Sequence, residues 1–165
     1  MLQAGITSAR GVVSHMHDTK PEVVTLAELL SIAVRVEPEL LRAVRLRFLP
    51  NAEAEIESEW YFSPLVAERA DDWCLFDPEI QAELRERVSV RVKDEPFQRQ
   101  CMVRARELIE RAHADAPAGI LVEERILWQN TVQFGGDEQQ IRQAIEQEMD
   151  QVLAHVWTRQ HKATR

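Results

Sequence analysis

Glycine, cysteine and tyrosine are all scarce in this chain: five glycines, two cysteines and one tyrosine in 165 residues. Glycine supplies the backbone freedom that hairpin turns and bulges need, so its scarcity argues against a sheet-rich fold. Cys74 and Cys101 sit in no metal-ligand or redox spacing. Buried thiols in a reducing compartment are therefore expected, with neither a zinc site nor a disulfide framework. No segment approaches the roughly 18 consecutive apolar residues that span a bilayer. The start, Met1-Leu2-Gln3-Ala4-Gly5-Ile6, lacks the basic and apolar regions of a secretory signal, so a cytoplasmic location is expected. There is no H-E-x-x-H, glycine-rich phosphate loop, G-x-S-x-G or C-x-x-C, and no cofactor is expected.

What is present is ordinary for a globular domain: 45% apolar and 29% charged residues. The length suits one domain whose core needs no staples. Twenty-eight acidic against twenty basic residues leave a net charge of −8. That balance disfavours nucleic acid and anionic membranes as partners, because both need a cationic face.

Helical spacing dominates. Residues 1–22 show weak periodicity and contain Gly5, Gly11, His15, His17 and Pro21, which reads as a flexible lead-in. Thr25-Leu26-Ala27-Glu28 reads as a capping box ahead of Leu26, Leu29, Leu30 and Ala33. Pro38 suits the first position of a helix carrying Leu40, Leu41, Val44 and Phe48. Asn51 would cap the next helix, towards Trp60. A hairpin over 44–62 is the alternative, since Val44–Phe48 also alternates with period two. Ser63-Pro64 and Asp77-Pro78 look like one device used twice, a cap followed by proline at the first helical position. Further helices follow from Asp77, from Glu95-Pro96 and over Leu121–Val132, the last stopped by Gly135-Gly136. Asp137 would cap a final helix with the stripe Ile141, Ile145, Met149, Val152 and Val156. The expectation is a single all-α domain, a compact bundle of about seven helices over 23–158, with a flexible basic tail at 159–165.

Aromatic side chains cluster. Trp60, Tyr61, Phe62, Trp73 and Phe76 lie within 17 residues. Three adjacent aromatics cannot all face one way on a helix, so some should stay exposed. Large aromatics dominate binding energetics, which makes Trp60, Tyr61, Phe62 and Trp73 candidate partner-binding residues. Arg42, Arg45 and Arg47 form a basic patch nearby and join them as candidates for an anionic partner surface. Their alternative use is pairing with the acidic run Glu53, Glu55, Glu57 and Glu59. His15-Met16-His17-Asp18 holds metal-ligand types without a second cluster, and reads as a polar turn. His113, His155 and His161 read as helix-end residues favoured by the dipole. Glu123-Glu124 and Asp71-Asp72 read as solvated faces. No catalytic constellation is visible, and an enzyme would need a site assembled from dispersed Glu, His and Arg.

Two runs, Glu39 to Pro50 and Glu59 to Val66, followed by Asp77-Pro78-Glu79-Ile80 and later Leu121–Trp128, resemble a helical region of bacterial conflict-system (defence) proteins. In that family, helical adaptor modules are joined to peptidase, NTPase or other effector domains. The resemblance covers roughly residues 36 to 157 and carries no catalytic residue. It implies a non-catalytic protein–protein interaction module, an adaptor or regulatory component whose partner is an effector protease or NTPase component. The alternative it allows is a regulatory target cleaved by an effector protease, or an inhibitor released by one. The oligomeric state is open, because the final stripe could pack internally or against a second copy.

Overall fold

The computed structural model describes residues 8–133 and 138–162. Among them are eight α-helices, one two-stranded antiparallel hairpin and one π-helical turn. In chain order they are α1 (Ala9–Thr19), α2 (Pro21–Leu30), α3 (Pro38–Phe48) and α4 (Glu55–Tyr61), then β1 (Val66–Arg69) and β2 (Cys74–Phe76). After them come α5 (Pro78–Asp94), α6 (Pro96–Ala112), α7 (Ala118–Trp128), the π-helical turn Gln129–Gln133 and α8 (Glu138–Lys162). The all-α expectation holds.

The architecture is organised around α2. Its ten residues include Val23, Val24, Leu26, Ala27, Leu29 and Leu30, all buried. A helix that is apolar all round has to lie inside, and α2 is packed by α1, α3, α4, α5 and α6. Proline begins α2, α3, α5 and α6, where its missing N–H costs nothing. Asp77 caps α5 as expected, accepting from the Glu79 and Ile80 N–H groups at 3.0 and 3.1 Å.

Several local expectations are corrected. The stretch read as a flexible lead-in, 1–22, contains α1 and the first two residues of α2. Ser8 caps α1 by accepting from the Gly11 N–H at 3.1 Å, and Val13 and Met16 are buried, where α1 packs on α2 and α5. Residues 1–7 lie outside the described residues. Thr25 is no cap. It sits inside α2 and returns its hydroxyl to the Pro21 carbonyl at 3.0 Å, while Glu28 turns to Arg91. Asn51 is no cap either, since α4 begins at Glu55 with Ala54 before it. Ser63-Pro64 starts no helix: the Ser63 hydroxyl donates to the Trp60 carbonyl at 2.7 Å and accepts from the Leu65 N–H, a turn that leads into β1. The alternative of a hairpin over 44–62 is not formed, since that stretch holds the end of α3 and all of α4; a different hairpin lies at 66–76. Val66 pairs with Phe76 and Arg69 with Cys74, with a bulge between Val66 and Glu68.

At the C-terminal end α8 packs on α7 and the π-helical turn. It buries Ala144 and Glu148, Ile145 is half-buried, and Met149 and Leu153 are exposed. The stripe expected on this helix is therefore uncovered at Met149. The side chains of Ile141, Val152 and Val156, and the stop and cap at Gly135, Gly136 and Asp137, lie outside the described residues. So do the side chains of His155, Trp157 and His161. The expected tail from 159 continues α8 as far as Lys162, and 163–165 lie outside the described residues.

Candidate functional site

The aromatic cluster divides into a buried half and an exposed half. Trp60 is fully buried, meeting the Phe76 ring edge-on at 5.3 Å between centroids. It cannot touch a partner, and its place among the candidate binding residues is corrected: it is the largest fully buried side chain of the core. The cause is helical geometry, because Trp60 lies one turn after Ile56 on the inward face of α4. Phe62, just past the end of that helix, is 74% exposed. Its ring meets Tyr61 edge-on at 5.1 Å. Tyr61 is half-buried and donates its hydroxyl to the Ala70 carbonyl at 3.0 Å. Arg69 closes the corner: its guanidinium donates to the carbonyls of Tyr61 and Ser63 at 2.7 and 3.1 Å. The same guanidinium stands 5.7 and 6.0 Å from the Tyr61 and Phe62 ring centroids. Trp73 is half-buried just before β2. Tyr61, Phe62 and Arg69 thus form a small aromatic–cationic platform whose backbone is pinned by side-chain hydrogen bonds.

The arginine patch also divides. Arg45 is buried, donating to Glu57 at 2.6 Å and to the Ala52 carbonyl at 3.0 Å. As a partner-binding candidate it is corrected, because the alternative pairing with the acidic run on α4 takes it inward. Exposed Arg42 reaches the same Glu57 at 3.5 Å. Arg47 is exposed and lines a groove of about 480 Å³ between α2, α3, α5 and α6.

A third cluster gathers residues that are far apart in the sequence. His113, fully buried at the end of α6, lies between two carboxylates. Its Nδ1 is 2.7 Å from Glu124 Oε1 on α7, and its Nε2 is 2.8 Å from Glu37 Oε2, just before α3. A ring with a carboxylate at each nitrogen donates from both only as imidazolium. Burial alone would push His113 down, but hydrogen bonds and charge from Glu124 and Glu37 more than offset it, leaving its pKa raised. Both carboxylates have a second partner: Glu124 Oε1 also accepts from the Val34 N–H at 2.9 Å, and Glu37 accepts through its other oxygen from Arg35 at 2.6 Å. Val34 and Glu37 belong to the α2–α3 connection, which leaves α2 by two turn bonds, from the Ser31 and Ala33 N–H groups to the Glu28 and Leu30 carbonyls, and then runs on with no helical ladder. Such a segment needs partners for its backbone. Gln81 supplies two more, to the carbonyls of Ser31 and Ala33, both at 2.9 Å. Val36 exchanges hydrogen bonds with Cys74 of β2, each 2.9 Å. The His113 clamp is thus part of what holds the α2–α3 connection inside the bundle.

In chemical terms these three clusters differ. The clamp has both ring nitrogens engaged and offers neither to a substrate. Glu124 also borders a cleft of about 260 Å³, whose other charges, Arg106, Glu110 and Arg125, have partners in Glu110, Arg106 and Glu148. Burial pushes the Cys74 thiol up to about 11, which keeps it protonated and unreactive. Among the described residues no group of three His, Cys, Asp or Glu side chains could hold a metal ion, and no helix is long and apolar enough to cross a membrane. The platform and the groove present apolar and cationic surface to solvent. No family model, curated protein or solved structure matches the chain.

Proposed function

We propose that this protein is a protein-interaction module whose docking face is the platform of Phe62, Tyr61 and Arg69. The observation that supports it is one ring: Phe62 is 74% exposed on a corner that is otherwise hydrogen-bonded shut. A rigid exposed aromatic binds at low entropic cost, because nothing has to be ordered first. Aromatic and arginine side chains together are the residue types that anchor interfaces. In the setting implied by the resemblance to bacterial conflict-system proteins, the module is a cytoplasmic adaptor or regulatory component. Its partner there is an effector protease or NTPase component.

The test is affinity capture from the native host with the wild-type chain and with Phe62→Asp, compared by quantitative mass spectrometry. Phe62 touches little of the interior, so the variant should keep its circular dichroism spectrum. A protein retained by the wild type and lost by Phe62→Asp is the expected result. An unchanged set of captured proteins would overturn the platform as the docking face.

A further inference from the structure

The groove between α2, α3, α5 and α6 is a second surface, independent of the aromatic platform. Its apolar wall includes Leu29, Phe48 and Phe97. Phe97, in the first turn of α6, is 76% exposed. Its cationic wall is Arg47, Arg91 and Arg104. The remaining lining residues are Thr25, Gln98, Gln100 and Cys101, so no carboxylate faces the groove. In a chain of net charge −8, three arginines around one opening with no acid among them is a local reversal of sign. Arg91 is held by Glu28 at 2.7 Å. Arg47 and Arg104 are both exposed, and among the described residues neither guanidinium has an ion pair or hydrogen bond.

We propose that this groove binds a short acidic segment of a partner protein, with an apolar side chain set against Phe97 and Phe48 and flanking Asp or Glu residues reaching Arg47 and Arg104. The apolar wall alone would accept any hydrophobic segment, and the two unpaired guanidinium groups select for one carrying carboxylates. A nucleic-acid strand also carries negative charge, and Phe97 could stack on a base. But a polyanion would have to run beyond the groove across a surface that is acidic overall, whereas a peptide with a few carboxylates meets only the arginines.

The test uses a phage-displayed random dodecamer library panned against the full chain, against Arg47→Glu/Arg104→Glu, and against Phe62→Ala. The wild type should enrich sequences with a large apolar residue flanked by Asp or Glu. The Phe62→Ala variant should enrich the same ones, which separates the groove from the platform. The double charge reversal should lose that consensus. A fluorescein-labelled peptide of the consensus should bind the double variant at least about tenfold more weakly by anisotropy, since two attractions become repulsions. Phe97→Ser, which leaves the charges in place, should weaken the same peptide and serves if the double variant fails to fold. No enriched consensus, a consensus without Asp or Glu, or one unchanged by charge reversal would overturn the proposal. So would tighter binding of a labelled single-stranded oligonucleotide that depends on the same arginines.

Discussion

Trp60 and Phe62 are two residues apart in the chain, and so are Arg45 and Arg47, yet each pair is split between interior and surface. Trp60 and Arg45 are buried and partnered by Phe76 and Glu57. Phe62 and Arg47 are exposed, one on the platform and one at the groove. Positions two apart on a helix point in nearly opposite directions, so a single amphipathic segment supplies both a core and a surface from the same residue types. Composition therefore says little about which copy of a side chain acts on a partner. What decides is the helical phase relative to α2.

The widest separation expected between the two halves is in stability, at Trp60. Replacing it by Ala removes a fully buried indole ring and leaves a cavity against Phe76, which should cost about 3–5 kcal/mol. Phe62→Ala should change stability by no more than about 0.5 kcal/mol. Urea denaturation of the two variants under one set of conditions checks this. A small loss at Trp60, or a large one at Phe62, would break the division of the aromatic cluster.

His113→Ala should rank with Trp60→Ala, because it leaves buried Glu124 and half-buried Glu37 without their shared cation, with only Glu37 keeping another, Arg35. Removing one partner from a buried charged cluster costs about 3–5 kcal/mol. This site also carries a pH signature. The folded-state pKa of His113 is raised, so the clamp's contribution is fully present below the unfolded value of about 6.5. It declines as pH rises through the higher folded value. Burial raises Glu28 as well, against the opposing charge of Arg91, and its effect has the same sign but begins nearer the ordinary carboxylate range. Denaturation midpoints measured upward from pH 6.5 should fall for the wild type and fall less for His113→Gln. Parallel pH profiles would show that the ring is not held as imidazolium.

Much of the bundle is legible from residue spacing. Asp77-Pro78, Pro38 and Pro96 mark helix starts because capping and the missing proline N–H are local effects. Helix α1 is the missed element: Ala9, Val12, Val13 and Met16 stand at helical spacing and are all at least half-buried, yet the stretch reads as a flexible lead-in. Gly11 and the histidines on its outer face obscured that pattern. The hairpin was not legible. Strand β1 buries only Val66 of its four residues, and what holds it is pairing with β2, itself bridged to Val36 from a distant segment. The clamp is the extreme case. Glu37 lies 76 residues from His113, and a histidine at a helix end carries no mark of a partner that only tertiary packing brings to it. Glu124, beside Glu123, reads as half of a solvated acidic pair until α7 turns it towards Val34.

The smallest effect expected is the sharpest test of the arginine pair. Arg45→Ala should cost roughly 1.5–3 kcal/mol, the range for hydrogen bonds to a charged group. Arg42, already 3.5 Å from Glu57, can take up part of the stranded charge and holds the loss towards the lower end. Arg47→Ala removes an exposed side chain with no charged partner among the described residues and should shift stability by less than about 0.5 kcal/mol. Thermal unfolding of the two single variants and the double variant decides it. Additive losses dominated by Arg45 mean that α3 uses its two arginines for separate purposes, one inside and one outside. A cost at Arg47 equal to that at Arg45 would mean that Arg47 is tied into the fold, and the groove would then lose one of its two unpaired cations.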